Sequence, residues 1–179
     1  MTRRETDHVT SEVIKQQSEI IERIRQNNEN EYQKTGRVKY YRVITYGCQQ
    51  NNSDSEKLKG MLKLMGYNQT ENNEEADVIL FNTCCVRENA EMRLYGNIGA
   101  LKGLKKKKPD LIIGVCGCMM QQKHAVDMIK EKYTHVDLIF GTHNIYKFPE
   151  IFEKALHEKY TLIDILDTDG FIVENIPVE

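Results

Sequence analysis

The stretch that decides the fold is YYRVITYGCQQNNSDSEKLKGMLKLMG, residues 40–66. It begins with a β-prone run (40–46), passes through a polar turn that contains glycine, and continues with apolar residues at helical spacing. Ser53 and Glu56 form an S-x-x-E pattern that is typical of a helix N-terminus, and Gly66 is typical of the residue after a helix. The stretch therefore predicts a strand followed by a helix that begins near Ser53.

The same strand-then-helix unit recurs along the chain. Further predicted strands are VILFN (78–82), LIIGVC (111–116) and VDLIF (136–140). A second predicted helix covers about 90–108 and is stopped by Pro109, and a third covers about 121–132. A fourth begins near Pro149 and has four residues that face inward: Ile151, Phe152, Ala155 and Leu156. Unbroken apolar strands are typical of parallel sheets that are covered on both faces. The predicted fold class is α/β, a Rossmann-like, mostly parallel sheet of about five strands with flanking helices.

The segments on either side of this region have patterns of their own. Near the N-terminus, apolar residues recur at helical spacing and predict one amphipathic helix packed on the main domain: Val13, Ile14, Ile20, Ile21 and Ile24. The stretch NNENEYQKTG (27–36) is interpreted as a linker. Residues 161–179 predict two short strands around an Asp-Thr-Asp-Gly turn. The chain is therefore divided into an N-terminal helix and linker (1–37), a main domain (38–160) and a C-terminal strand pair with a linker (161–179).

Charge and composition exclude several classes of protein. The 25 Lys and Arg nearly balance the 27 Asp and Glu, so a net charge of −2 gives no strong attraction to polyanions or membrane surfaces. The chain has no signal-peptide pattern, and no run approaches the ~18 apolar residues of a membrane span. These features predict a cytoplasmic protein with no membrane partner. In that reducing compartment, the five cysteines are expected to be thiols, metal ligands or catalysts rather than disulfides.

Three cysteines follow three predicted strands at the same topological position. Cys48, Cys84 and Cys118 come just after the first, second and third strands. The carboxyl ends of parallel strands meet at one edge, which is where open α/β sheets bind ligands. Gly47 and Gly117, which lack side chains, would let the backbone approach a bulky ligand. Three convergent thiols therefore predict a metal or cluster site.

The residues alone leave the metal open. Structural zinc usually takes C-x-x-C pairs, which this sequence lacks, and would need His124 or His143 to complete its ligands. An iron-sulfur cluster held by three thiolates would instead leave one iron free for an external ligand. Cys85 and Cys116 are predicted to be buried thiols rather than ligands. His143 and Asn144 lie in the turn after the fourth strand and are candidates for supporting contacts behind the ligands.

A resemblance to a known family is carried by three motifs: TYGCQQNNSDSE, NTCCVRENAE and GVCGCMMQQ. In this order and spacing they resemble the N-terminal domain of the methylthiotransferases, radical-SAM enzymes that insert a methylthio group into tRNA or a ribosomal protein. The resemblance covers about residues 38–160. VRENAE and FGTHNIYKFPE (140–150) favour the MiaB-type tRNA branch, which makes 2-methylthio-isopentenyladenosine next to the anticodon. A ribosomal-protein or threonylcarbamoyladenosine methylthiotransferase domain is the alternative within this family.

The resemblance implies a specific cofactor. In the family the three motif cysteines hold an auxiliary 4Fe-4S cluster, and position by position they correspond to Cys48, Cys84 and Cys118. Cys85 and Cys116 do not correspond to ligands. Gln50 stands where the family usually has Met, which is not a ligand position. The open iron of such a cluster would bind the sulfur species to be transferred, so a sulfur donor is an implied partner.

The resemblance also implies further parts of the protein. Family members continue into a radical-SAM domain with a C-x-x-x-C-x-x-C motif and a small RNA-binding TRAM domain, and neither pattern occurs in these residues. The chain is expected to stop before the radical-SAM core, to contain no catalytic residue and to be inactive alone. The whole enzyme would add a second 4Fe-4S cluster and S-adenosylmethionine, and would bind tRNA mostly through its other domains. The lysine run 105–108 is compatible with tRNA phosphates and equally with the negative end of a helix dipole.

A different class of protein also stays open. The chain is compatible with a stand-alone, non-catalytic α/β module that binds a metal or a nucleotide. A dinucleotide-binding module would need a G-x-G-x-x-G motif after the first strand, and none is present there. Anaerobic reconstitution with iron would distinguish the cluster-binding domain from a nucleotide-binding module, because the nucleotide-binding module would take up no iron.

Overall fold

The computed structural model describes residues 11–47, 49–84, 88–158, 160–167 and 170–177, and within them six α-helices surround one seven-stranded sheet. The strands are β1 (Tyr40–Tyr46), β2 (Asn68–Gln69), β3 (Val78–Thr83), β4 (Ile112–Cys116), β5 (Leu138–Phe140), β6 (Tyr160–Asp167) and β7 (Gly170–Pro177). The helices are α1 (Ser11–Thr35), α2 (Gln49–Leu64), α3 (Glu88–Ala100), α4 (Lys102–Lys107), α5 (Lys123–Lys132) and α6 (Phe148–His157). Two 3₁₀ helices, Cys118–Gln121 and Thr142–Lys147, follow β4 and β5.

The sheet confirms the predicted Rossmann-like, mostly parallel α/β fold. Its strand order is β2-β1-β3-β4-β5-β6-β7, and every neighbouring pair is parallel except β6 with β7. It has seven strands rather than about five, because β2 and the C-terminal pair join the four strands predicted for the main domain. The chain moves outward from β1 in both directions, so β1 and β3 flank the switch point of the sheet. Ligands of open α/β sheets bind outside the carboxyl ends of the strands at such a point.

Apolar layers cover both faces of the sheet. Because side chains alternate along a strand, Leu80 of β3 joins one layer and Ile79 joins the other. The first layer is completed by α2 and α6 with α1 packed against them, and the second by α3, α4 and α5. Both faces are therefore buried, as the unbroken apolar strands predicted. Among the described residues, no helix is both long enough and apolar enough to cross a membrane.

The N-terminal helix packs on the main domain, as predicted. Arg23 donates hydrogen bonds of 2.8 and 2.7 Å to the two carboxylate oxygens of Glu153 on α6. Asn28 donates through Nδ2 to the carbonyl oxygen of Met65, just after α2, at 2.9 Å. Ile24 is buried between these contacts. The apolar stripe of α1 therefore faces α2 and α6.

Two details of this helix were predicted wrongly. The linker predicted at 27–36 does not exist as such, because α1 continues to Thr35. Its polar residues are mostly exposed, so they form the solvent side of a docked helix rather than a flexible connection. Ile14 is 56% exposed, so the predicted apolar stripe is not buried at its N-terminal end.

The predicted capping box at the start of α2 is also wrong. The helix begins at Gln49, four residues before Ser53, and Ser53 is exposed within the helix. Glu56 accepts a hydrogen bond of 3.1 Å from Lys59 rather than reaching back toward the start of the helix. The helix starts earlier because Asn51 is held against the end of β3, as described below.

The remaining boundaries differ from the predictions by a few residues. The helix predicted over 90–108 is divided into α3 and α4 at Leu101, between glycines that are poor helix formers. The helix α6 contains Pro149 in its first turn, as predicted, but Leu156 is 39% exposed instead of buried. The strands β6 and β7 confirm the predicted C-terminal pair, whose turn at 168–169 lies outside the described residues. The division into three regions stays a prediction.

Candidate metal centre

Four turns follow four parallel strands at the carboxyl edge of the sheet. Gly47 follows β1, Cys84 follows β3, Gly117 follows β4 and Gly141 follows β5. The predicted ligand Cys48 and the neighbouring thiol Cys85 lie outside the described residues. Of the three predicted ligands, the structure therefore describes Cys84 and Cys118, and both are at this edge.

The turn after β1 touches the turn after β3. Gly47 has φ +140°, and a Cβ added to it would overlap the Cβ of Cys84 and lie 2.7 Å from Oδ1 of Asn51. The backbone N–H of Cys84 donates to the carbonyl oxygen of Tyr46 at 2.9 Å. Cys84 is buried. Glycine is required at position 47 because the backbone approaches Cys84 too closely for a side chain.

The turn after β4 packs against the end of β3 in the same way. Gly117 has φ +107°, and a Cβ added to it would lie 2.6 Å from Oδ1 of Asn82 and 2.8 Å from the backbone nitrogen of Thr83. Cys118 follows as the first residue of a 3₁₀ helix and is half-buried. The close contact therefore brings the turn that bears Cys118 against the residues that precede Cys84.

Hydroxyl groups contact sulfur atoms on either side of this turn. Oγ1 of Thr142, after β5, donates to Sγ of Cys118 at 3.6 Å. Oγ1 of Thr83 donates to Sδ of the next residue, Met119, at 3.7 Å. The 3₁₀ helix that begins at Cys118 is thereby anchored on β3 and contacted from the turn after β5.

A buried network of amides and hydroxyls joins α2 to the end of β3. Nδ2 of Asn82 donates to the backbone oxygen of Asn51 at 2.8 Å and to Oγ of Ser55 at 3.0 Å. Nδ2 of Asn51 donates to Oδ1 of Asn82 at 3.2 Å. Oγ of Ser55 also lies 2.7 Å from Oγ1 of Thr45 on β1. These bonds hold the first turn of α2 beside the switch point, since buried amides need partners.

Cys116 occupies a different environment from the other described cysteines. It is fully buried in β4 and belongs to the apolar layer under α2 and α6. Burial, together with the nearby charge of Asp54, raises the pKa of the Cys116 thiol well above its usual range. A buried thiol that resists ionisation is a poor metal ligand, because metals bind the thiolate.

The candidates for supporting contacts separate into two groups. Gly47 and Gly117 are at the edge, in the contacts described above. Asn144 is fully buried in the second 3₁₀ helix, where its backbone N–H donates to the oxygen of Gly141 at 3.1 Å. His143 is exposed, and His124 is exposed at the start of α5. Within the described part of the chain, no three His, Cys, Asp or Glu residues form a group that could hold a metal ion.

The residues that sequence reasoning missed are Asn51, Ser55, Asn82 and Thr142. Asn82 ends the apolar run VILFN, and a polar residue at the end of a buried strand was the available signal. The donors at this edge suit a thiophilic group, because Cys84 and Cys118 supply sulfur, the preferred ligand of iron-sulfur clusters and zinc. The glycine turns let the backbone approach such a group closely.

The fold and the site define a doubly wound α/β domain with thiols and tight glycine turns at the carboxyl edge of its sheet. Residues 40–141 match the family described as uncharacterized protein family UPF0004, and the chain belongs to this family.

Three curated relatives share one name. The chain is 52% identical over 98% of its length to the tRNA-2-methylthio-N(6)-dimethylallyladenosine synthase of Acetivibrio thermocellus. It is 54% identical over 99% of its length to the synthase of the same name from Alkaliphilus oremlandii, and 48% identical over 98% to that of Clostridioides difficile. The matches cover 37%, 36% and 37% of these proteins, so the chain spans just over a third of the length of the relatives.

Proposed function

We propose that the chain is the auxiliary iron-sulfur-cluster domain of a tRNA methylthiotransferase that modifies isopentenyladenosine next to the anticodon. The observation that carries this proposal is the identity of 48 to 54% to three synthases of that name across nearly the whole chain. The shared name favours the tRNA branch over the ribosomal-protein alternative. The whole enzyme would act in the cytoplasm, where its tRNA substrate is found.

Cys48, Cys84 and Cys118 are the proposed cluster ligands. Cys84 and Cys118 lie just past the ends of two neighbouring strands, β3 and β4. Cys48 directly follows Gly47, whose backbone contacts Cys84. This arrangement supports the ligand set that the motifs imply. Cys116 is left out because its side chain is enclosed in the apolar layer on one face of the sheet.

The residues of this chain would hold the ligands and limit the access of water. A 4Fe-4S cluster held by three thiolates has one iron that can accept the sulfur species to be transferred. Cys84 is buried and Cys118 half-buried, so the described thiols are largely shielded from solvent. Asn82 fixes the first turn of α2 next to this edge. The second cluster, S-adenosylmethionine and most tRNA contacts are proposed for the rest of the enzyme.

Anaerobic reconstitution tests the ligand assignment. With iron and sulfide, the chain should bind about four irons and show the visible absorbance of a 4Fe-4S cluster. Replacing Cys48, Cys84 or Cys118 by Ala should each abolish iron uptake, whereas Cys85→Ala and Cys116→Ala are matched controls that should retain it. Equal loss of iron in all five variants would refute the assignment, and no iron in the unmodified chain would refute the cluster itself.

The proposed role also predicts that the chain alone is inactive. Incubated with reductant, S-adenosylmethionine and isopentenylated tRNA, it should yield neither 5′-deoxyadenosine nor methylthiolated base. The physical reason is that three of the five cysteines are assigned to one cluster, and the remaining two are too few for a second. Either product, above the level of a variant lacking all five cysteines, would contradict this division of roles.

A further inference from the structure

Thr142 contacts the proposed ligand Cys118 from the neighbouring turn. It is the first residue of the 3₁₀ helix after β5, it is half-buried, and its Oγ1 lies 3.6 Å from Sγ of Cys118. This distance is within the range of a hydrogen bond from a hydroxyl group to sulfur. Thr142 is therefore a side chain that reaches a proposed ligand atom without being a ligand itself.

The packing of the two 3₁₀ helices fixes this contact. Gly141 precedes Thr142, and a Cβ added to Gly141 would overlap the side-chain amide of Gln121 and lie 3.0 Å from its Cδ. Gln121 is the last residue of the 3₁₀ helix that begins with Cys118. The backbone after β5 therefore packs against the side chain of Gln121, which leaves no room for a side chain at position 141. This packing places the turn that carries Thr142 beside the 3₁₀ helix that begins with Cys118.

We propose that Thr142 is a positioning residue whose hydroxyl group orients Sγ of Cys118 and raises the reduction potential of the cluster bound there. The inference rests on the proposed function, because it requires Cys118 to be a ligand. A hydrogen bond donated to a ligand sulfur places a partial positive charge beside it, which stabilises the additional electron of the reduced cluster. Removing the donor should therefore make the cluster harder to reduce.

Thr83 provides an internal control for this assignment. Its hydroxyl group also donates to sulfur in the same 3₁₀ helix, but the acceptor is the thioether of Met119, which is not a proposed ligand. Thr83→Val and Thr142→Val each remove a threonine hydroxyl group that contacts a sulfur atom of this 3₁₀ helix. Only the second removes a hydrogen bond to a proposed ligand.

The test is an EPR-monitored redox titration of the reconstituted chain with dithionite, preceded by iron determination. The unmodified chain, Thr142→Val, Thr142→Ser and Thr83→Val are compared. We expect Thr142→Val to shift the midpoint potential to a more negative value, and Thr142→Ser and Thr83→Val to keep it close to that of the unmodified chain. If Thr142→Val fails to load iron, loading by Thr142→Ser supports the inference, since serine restores the hydroxyl group.

The outcomes separate this inference from the proposed function. No cluster in the unmodified chain would refute both. A normal cluster with the same potential in Thr142→Val would overturn the role of Thr142 alone, and so would equal shifts in Thr142→Val and Thr83→Val. Loss of iron in both Thr142→Val and Thr142→Ser would overturn the proposal, because it would show that Thr142 supports the site by packing rather than by its hydroxyl group.

Discussion

At the amino edge of the sheet an aspartate stands directly before each of two strands, whereas at the carboxyl edge the strands end in glycine, cysteine and amide residues. Asp77 precedes β3 and accepts a hydrogen bond of 2.9 Å from the backbone N–H of Tyr40 at the start of β1. Asp137 precedes β5 and accepts one of 2.8 Å from the N–H of Ile113 on β4. Each aspartate therefore ties its own strand to the strand beside it.

Basic residues complete the amino edge. Lys105 lies 2.9 Å from both carboxylate oxygens of Asp137, and Arg37 pairs with Asp77 at 2.5 Å. Lys108 donates to the backbone oxygen of Ala76 at 2.8 Å. Two of the four consecutive lysines are thus bonded within the domain, which weakens the interpretation of the run as a tRNA-phosphate site.

We expect the two edges to contribute differently to stability and to iron binding. Ion pairs and backbone hydrogen bonds engage Asp77 and Asp137 of the amino edge within the domain. At the carboxyl edge, uncharged amides hold the turns, and glycines allow the backbone to approach the thiols closely. Changes at the amino edge should lower stability alone, whereas changes at the carboxyl edge should lower both stability and iron binding.

The largest expected effect is that of Gly117→Ala. The backbone has φ +107°, and the new methyl group would collide with the backbone of Thr83, so the free energy of unfolding should fall by about 3 kcal/mol. Urea denaturation measures this loss, and iron binding should fall with it. Gly103→Ala is the control, because Gly103 lies in α4 with open space around it and alanine favours helix. Equal stability of the two variants would contradict the conclusion that the turn at Gly117 has no room for a side chain.

Asn82→Leu should lower the free energy of unfolding by about 2 kcal/mol, since it leaves buried polar groups of Asn51 and Ser55 without this partner. Because α2 begins at this contact, iron uptake on reconstitution should also slow. Thermal unfolding and the rate of cluster assembly are the measurements. A variant that is destabilised but assembles its cluster at the normal rate would show that the amide network does not support the site.

Lys105→Met tests the opposite edge. It keeps the apolar stem of the side chain but removes the charge that faces Asp137, whose side chain is 23% exposed. Because both side chains are largely buried, the carboxylate would lose its charged partner without becoming fully solvated, so the loss of stability should be about 1.5 kcal/mol. Iron content and absorbance after reconstitution should equal those of the unmodified chain. A marked loss of iron would contradict the expectation that changes at the amino edge leave iron binding unaffected.

The smallest effect is expected for Ser53→Ala. Ser53 is exposed within α2 and not at its start, so the free energy of unfolding should change by less than about 0.5 kcal/mol. Chemical denaturation resolves this from the loss of about 1 kcal/mol that removal of a helix cap produces. A loss of about 1 kcal/mol would instead indicate that Ser53 caps the N-terminus of α2.

Local patterns were sufficient where one segment determines its own structure. The strand predicted at 40–46 is β1, and Cys84 and Cys118 lie just past strand ends as their spacing indicated. The start of α2 was missed because it depends on Asn82, 31 residues beyond Asn51. The linker at 27–36 was missed because its polar residues suggest a loop until the docking surface is known.

The contact between Thr142 and Cys118 could not be predicted from either motif. The two residues are 24 positions apart and meet only because β4 and β5 are adjacent and parallel. A threonine in a GTHN turn has no periodicity or spacing that indicates a sulfur acceptor. Contacts of this kind depend on strand order, which the sequence specifies only through the whole fold.

The docking of α1 on α6 has a consequence for synthesis on the ribosome. Arg23 and Glu153 are 130 residues apart, so the first helix is translated long before its partner. At synthesis rates of roughly 5–20 residues per second, the interval is on the order of ten seconds. During this time the side of α1 that carries Ile24 has no α6 to cover it. Until α6 emerges, the apolar side of α1 can pack only against α2, so this helix is incompletely covered on the nascent chain.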